Sequence, residues 1–318
     1  MNGTGMDNSI DIIKAACCIL IVGSHSSPLF TNEVASYYYK EWLFRFCVPF
    51  FFIASGYFFA GMNVSRKRSY IMRIILIYAI STALYARFFV HGSVLDIVKN
   101  LVFGYYHLWY LISLAIGLIL VFFADKKLQK RKYWLILFIV GGVLLDEYYR
   151  LFDIVILNKM VGASNYIGGA RNAVFFAMPL LLVGDLIASR ENQLLHLRKF
   201  TLVIAGLILF ALGFAEATVL RVGIGMDLTA DVTFFGWTPA VPLFLLGLRT
   251  KSGITPGNSR RMRKITDVVY IIHIWVIVII NKFLGVEYMG LFLLATVISF
   301  ALAAGFIILD TSVRSSHI

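Results

Sequence analysis

Apolar residues along this chain come in blocks of about twenty, set apart by short stretches in which basic residues gather. Ten such blocks are centred on Ile12–Ser27, Trp42–Met62, Ser69–Phe89, His107–Ala124, Tyr133–Leu145, Ala170–Ala188, Phe200–Leu220, Val232–Leu248, Ile265–Phe283 and Met289–Leu309. A helix rises 1.5 Å per residue, so about twenty residues cover the ~30 Å of a bilayer's hydrocarbon. Hydrocarbon offers the backbone no hydrogen-bond partners, so each block must satisfy itself as a helix. The period-two alternation of a barrel strand is absent. The pattern therefore predicts an all-α polytopic membrane protein of about ten transmembrane helices. The fifth block is short, ending at Asp146 and Glu147. In the eighth, Pro239 and Pro242 remove backbone donors and predict a kink. Val94–Phe103 reads as an amphipathic stretch lying at the surface ahead of the fourth span. No repeat, low-complexity tract or polar domain interrupts the pattern, so residues 1–318 read as one transmembrane domain.

The basic residues set the expected orientation. With the N-terminus cytoplasmic, the inner connections and tail hold eighteen Lys and Arg against six in the outer ones. Both termini are then cytoplasmic, in a bacterial plasma membrane. Composition agrees: 60% of the 318 residues are apolar and 14% charged, too few charges to solvate a soluble surface. The formal net charge of +12 follows mostly from the loop bias, so no nucleic-acid partner is expected; the partner the pattern implies is the lipid bilayer. No basic region precedes the first block, so a cleaved signal peptide is not expected. Cys17, Cys18 and Cys47 fall inside spans and read as packing residues. The histidines are dispersed without an i, i+4 pair, so no metal site is expected.

Charged and imidazole groups inside spans are functional candidates by default, because hydrocarbon penalises them. Arg87, Asp185 and Asp11 sit near block ends and read as snorkelling to the interface. Lys14 and His25 are more informative. Eleven helical steps of about 100° separate them, three turns plus roughly 20°, so they share one face about 16 Å apart. One helix would carry a cation near the inner mouth and a titratable base near the outer mouth of a shared water-accessible cavity. An anchoring lysine and an interfacial histidine fit the same spacing. Ser55 and Gly56 read as sites of close helix packing. Tyr57, Trp109 and Tyr110 are candidates to line the cavity, or interfacial aromatics. His273 stands mid-span, where it either lines the cavity or hydrogen-bonds a neighbouring helix.

Lys14-x10-His25 resembles the Arg/Lys-x10-His motif of the acyltransferase-3 family of membrane acyltransferases. Four further segments agree in order. Phe50-Phe51-Phe52-Ile53-Ala54-Ser55-Gly56-Tyr57-Phe58 is similar to the family's FFxxSGF/Y segment. Arg68 and Arg73, followed by Tyr78, resemble its basic third-helix signature, with Leu76 where a proline is common. His107-Leu108-Trp109-Tyr110-Leu111 resembles the H-x-W-F/Y-L opening of the fourth helix, and Tyr270-Ile271-Ile272-His273 the Y-L-I-H segment. Ser113-Leu114-Ala115-Ile116 stands where many members carry V-E-E-Q, so a mechanism through those glutamates is not available here. Arg171-Asn172-Ala173-Val174-Phe175-Phe176-Ala177-Met178-Pro179 and Glu216 resemble a branch that includes an enterobacterial common antigen O-acetyltransferase. The membrane domain fused to vancomycin-resistance serine racemases belongs to the same branch.

The resemblance implies O-acyl transfer across the membrane. The donor would be cytoplasmic acyl-CoA, acetyl-CoA being expected, bound as a substrate and not as a resident cofactor. The acceptor would be a hydroxyl of an extracytoplasmic envelope glycan or lipid-linked sugar. Lys14, Arg66, Lys67, Arg68 and Arg73 would hold the phosphates of coenzyme A. His25 would be the general base, and Arg45, Arg171, Asn172 and His107 candidates to stabilise the tetrahedral oxyanion. Glu216 would orient His25 or pair with Arg171. Arg45, Tyr57, Trp109, Tyr110 and His273 would contact the acceptor. Buried charges suit a second reading equally, a carrier of a small polar solute such as serine. The absence of paired half-length helices counts against that reading.

Overall fold

A computed structural model describes residues 7–123, 138–139, 141–142, 172–223 and 232–315, and the regular structure there is helical. In chain order the helices are α1 (Asp7–His25), α2 (Glu33–Tyr38), α3 (Cys47–Ala60), α4 (Val64–Tyr85), α5 (Val94–Phe103) and α6 (Trp109–Phe123). Then come α7 (Met178–Ser189), α8 (Glu191–Leu194), α9 (Lys199–Thr218), α10 (Ala240–Arg249), α11 (Pro256–Leu284) and α12 (Tyr288–Ser315). Among the described residues six helical stretches are long and apolar enough to cross a bilayer, so the protein is a multi-pass membrane protein. Most of the fifth expected span, Tyr133–Leu145, lies outside the described residues.

Local chemistry explains the ends. Asn63 caps α4 by accepting from the Arg66 N–H at 2.9 Å, and Thr255 caps α11 from the Asn258 N–H at 3.3 Å with Pro256 next in line. α11 closes on Gly285 at φ 59°, a left-handed position that glycine adopts without steric penalty. Because α11 starts at Pro256, it extends a helical arm bearing Arg260, Arg261, Arg263 and Lys264 where the hydropathy pattern placed a connection. α5 has the bounds expected for the surface stretch; Ser93 caps it, and Val94, Leu95 and Val98 are exposed.

The eighth span departs from expectation. Pro239 and Pro242 do not kink a long helix; they open a short one. Pro239 takes the cap position of α10 and Pro242 its first turn, where the missing N–H has no intrahelical partner to lose. α10 is therefore only ten residues long.

Helix α1 lies in the middle, packed against α3, α10, α11 and α12. α3 and α7 cross closely at two glycines: a Cβ on Gly56 would stand 2.1 Å from the Leu181 carbonyl oxygen, and one on Gly184 2.2 Å from that of Ile53. The packing role read for Gly56 is thus a backbone-to-backbone contact. The stretch from α2 to α3 contains a single π-turn, Tyr39–Leu43, and docks on α9 through three side chains. Tyr37 donates to the Ala217 carbonyl at 3.0 Å, Trp42 to the Phe210 carbonyl at 2.8 Å, and the Tyr38 and Thr218 hydroxyls meet at 3.0 Å. Gly56→Val forces the α3–α7 backbones apart and is expected to lower stability by about 3 kcal/mol or more. Thermal unfolding in detergent checks this, with Gly305→Val, whose added Cβ meets nothing within 4 Å, as the neutral comparison.

Candidate active site

His25 is the last residue of α1, and two other imidazoles come to it from elements distant in sequence. His107 stands in the turn before α6 and His273 in the middle of α11. The His25 ring lies 5.2 Å from that of His273 and 6.2 Å from that of His107, and the latter two are 5.0 Å apart. His107 and His273 are 2% and 1% exposed. His273 Nδ1 sits 3.1 Å from the Val269 carbonyl and 2.9 Å from that of Tyr270; carbonyls only accept, so Nδ1 carries the hydrogen and Nε2 the lone pair. That Nε2 and both ring nitrogens of His107 are buried without a hydrogen-bond partner among the described residues. Buried polar atoms in that state are uncommon and mark places where chemistry or a ligand completes the set. Among the described residues no group of three His, Cys, Asp or Glu side chains is placed to hold a metal ion.

A cavity of about 580 Å³ opens beside His25, within the range of small-ligand sites. Two π-turns border it. The turn at Tyr39–Leu43 brings Lys40 and Arg45 to its wall, and the turn at Ala173–Ala177 brings Asn172 and Phe175. Single π-turns are frequent at functional sites because the extra residue re-aims side chains. Trp109 and Tyr106 complete the aromatic part of the wall. Arg45 is nearly buried and pairs with the buried carboxylate of Glu41, one helical turn earlier. Asn172 caps its turn: its Oδ1 accepts from the Val174 and Phe175 N–H groups at 2.8 and 3.0 Å.

The other end of α1 is ionic. Lys14 Nζ lies 5.4 Å above the Phe58 ring, and Lys14, Arg73 and Arg263 all stand close enough to Asp267 for their charges to act on it. Arg73 approaches Asp267 at 3.9 Å, with both side chains more than half exposed. Asp11 does not snorkel. It is 1% exposed, accepts from Arg263 Nη2 at 2.8 Å and Nε at 3.1 Å, and accepts from the Ser259 hydroxyl at 2.6 Å. Arg66 and Arg68 are exposed in the first turns of α4, and Lys67 lies 5.0 Å over the Phe59 ring.

Of the residues expected in one site, His25, Arg45, Trp109 and Asn172 share the large cavity, and His107 and His273 back it. Arg171 lies outside the described residues. Tyr57 is a packing residue against Phe244 and Phe58. Tyr110 packs on Phe52 at 4.8 Å and on Tyr270 at 5.6 Å, away from the cavity wall. Glu216 does not line the His25 cavity; its two carboxylate oxygens accept from the Phe234 and Phe235 N–H groups ahead of α10, both at 2.8 Å, and its expected pairing with Arg171 lies outside the described residues. Lys14 is not among the residues lining the His25 cavity; the rings of Tyr110 and Tyr270 pack 5.6 Å apart, and Tyr270 donates to the His107 carbonyl at 2.8 Å. Glu41, Asp267, Arg263 and Tyr106 were not singled out from sequence; the nearest signal was the i, i+4 spacing of Glu41 and Arg45.

The helical membrane bundle thus gathers imidazoles at one end of its first helix and basic side chains toward the other. The chain belongs to the acyltransferase-3 family, whose acyltransferase domain matches residues 7–309. It is also similar to an amino-acid racemase of Enterococcus faecalis, 28% identical over 347 aligned positions that cover 97% of this chain and 47% of that protein. A second amino-acid racemase of Enterococcus faecalis is 30% identical over 207 positions, 58% of this chain and 29% of the relative. A serine/alanine racemase of Enterococcus gallinarum is 26% identical over 211 positions, 59% of this chain and 30% of the relative. The chain thus spans less than half the length of these curated relatives. No solved structure matches it.

Glu216→Gln offers only one acceptor oxygen to two backbone donors. It is expected to cost about 2 kcal/mol of stability, read as a lower unfolding temperature in detergent. A loss of turnover with unchanged unfolding would instead return Glu216 to the catalytic set.

Proposed function

We propose that the protein transfers an acyl group from cytoplasmic acyl-CoA to a hydroxyl of a cell-envelope glycan or lipid-linked sugar on the far side of the cell membrane. The observation that carries this reading is the division of α1. Its His25 end meets His107 and His273 against a 580 Å³ cavity, and its Lys14 end stands with Arg73 and Arg263. Under the orientation given by the basic loops, the Lys14 end faces the cytoplasm. There Arg66, Lys67, Arg68, Arg73 and Lys14 bind the phosphates of coenzyme A, guanidinium groups doing so through paired donors. Among the described residues Arg73 pairs with Asp267 through a long, exposed contact, and such pairs contribute little, so a phosphate replaces the carboxylate readily.

The pantetheine arm then carries the thioester along the bundle interior to His25. A His25 nitrogen takes the proton of the acceptor hydroxyl as its oxygen attacks the thioester carbonyl. The carbon–sulfur bond breaks, and the departing thiolate receives the proton, leaving ester and free coenzyme A. A neutral His107 has one N–H without a partner to offer the oxyanion, and Arg45 adds positive charge on the cavity wall. Trp109 and Asn172 shape the space for the acceptor.

A second reading, a carrier of a small polar solute such as serine, gains from the racemase names of the relatives, the half-length α10 and the buried Glu41–Arg45 pair. It is the weaker one, because a solute path has no use for a phosphate-sized cationic cluster at one mouth only.

Vesicles carrying the protein and loaded with radiolabelled acetyl-CoA test the choice. His25→Ala is expected to lower label transfer to envelope glycan at least a hundredfold while leaving coenzyme A binding intact. Serine uptake without coenzyme, in a protein that binds no coenzyme A, would favour the carrier. Asp267→Asn removes the carboxylate competing for Arg73 and is expected to tighten coenzyme A binding about threefold, whereas Arg73→Ala weakens it about tenfold, in line with one charge-assisted contact. Equilibrium binding in nanodiscs measures both.

A further inference from the structure

The His25 centre opens on two sides. One is the 580 Å³ cavity; the other is a smaller cavity of about 170 Å³ walled by Phe88, Tyr105, Ile274, Ile277 and Val278. His25 and Tyr106 line both and form the partition between them. The two spaces differ in character. Arginine, lysine, serine and asparagine reach the large one, whereas the small one is walled by aliphatic and aromatic side chains, its polar groups being His25 and the phenols of Tyr105 and Tyr106. On its wall Val278 is 36% exposed.

The partition is built with strain. Tyr106 has φ 50°, a left-handed conformation that a bulky side chain rarely adopts, two residues after Gly104 at φ 87°. Such strain persists where the surroundings over-determine the conformation, commonly at functional sites. Here the result is a Tyr106 ring 5.0 Å from that of His25, at the junction of the two cavities.

We propose that the small cavity houses the hydrocarbon of the donated acyl group, with His25 and Tyr106 at the junction where the thioester carbonyl meets the acceptor hydroxyl. This rests on the acyl-transfer reading above and names its donor class: short to medium acyl chains longer than acetyl. The volume sets the range. A methylene takes up about as much space as a water molecule, ~30 Å³, so a cavity of about 170 Å³ holds roughly five carbons beyond the carbonyl. An acetyl group would leave most of it empty.

The test is binding, since it needs no acceptor. Dissociation constants are measured for free coenzyme A and for acetyl-, butyryl-, hexanoyl-, octanoyl- and palmitoyl-CoA on the full chain in nanodiscs, with empty nanodiscs subtracted. Each buried methylene strengthens binding by up to about fourfold, so hexanoyl-CoA is expected to bind at least tenfold tighter than acetyl-CoA. Val278→Trp fills the space and should erase that difference. Ile274→Ala enlarges the space and should extend the gain to octanoyl-CoA, so the two variants move the preference in opposite directions. Equal affinity for all short-chain donors, unmoved by either variant, overturns the slot and leaves the coenzyme A reading standing. Binding of palmitoyl-CoA alone, lost in Val278→Trp, overturns it in favour of a lipid groove. No binding of any coenzyme, free or acylated, overturns both.

Discussion

A polar side chain in hydrocarbon must find its partner within the protein, and along α1 those partners come from α11. Asp11 meets Arg263 and Ser259, Lys14 shares the field of Asp267, the Cys18 thiol reaches the Thr266 carbonyl at 4.0 Å, and His25 meets His273. From Asp11 with Arg263 to His25 with His273 the partners advance along both helices, so α1 and α11 run side by side in one direction. The rest of the bundle wraps this pair.

The seam also explains why two kinds of chemistry sit on one helix. Near the start of α11, Arg73 and Asp267 meet in an exposed pair, whereas burial fixes Asp11 with Arg263. Two turns further on, the Tyr270 and Tyr110 rings pack against each other, and beyond them the imidazoles of His25, His107 and His273 gather.

Irregular backbone does the aiming. The turn at Tyr39–Leu43 places Lys40 and Arg45 on the cavity, the turn at Ala173–Ala177 places Asn172 and Phe175, and left-handed Tyr106 divides the cavities at His25. Each departs from the regular helix where a regular helix would have pointed the side chain elsewhere.

Apolar block length, loop charge and the eleven-step spacing of Lys14 and His25 determined, from sequence alone, a helical membrane protein with a cation and a base on one face of its first helix. These are local properties: helical rise, periodicity and the penalty for charge in lipid act within one segment. The meeting of His25, His107 and His273, the Glu41–Arg45 and Asp11–Arg263 pairs and the hydrogen bonds of Glu216 to backbone amides were decided by tertiary structure. Helices of similar apolar composition carry no label saying which neighbour each will face. Only packing, set by contacts such as Gly56 against Leu181, chooses among the arrangements that hydropathy permits equally.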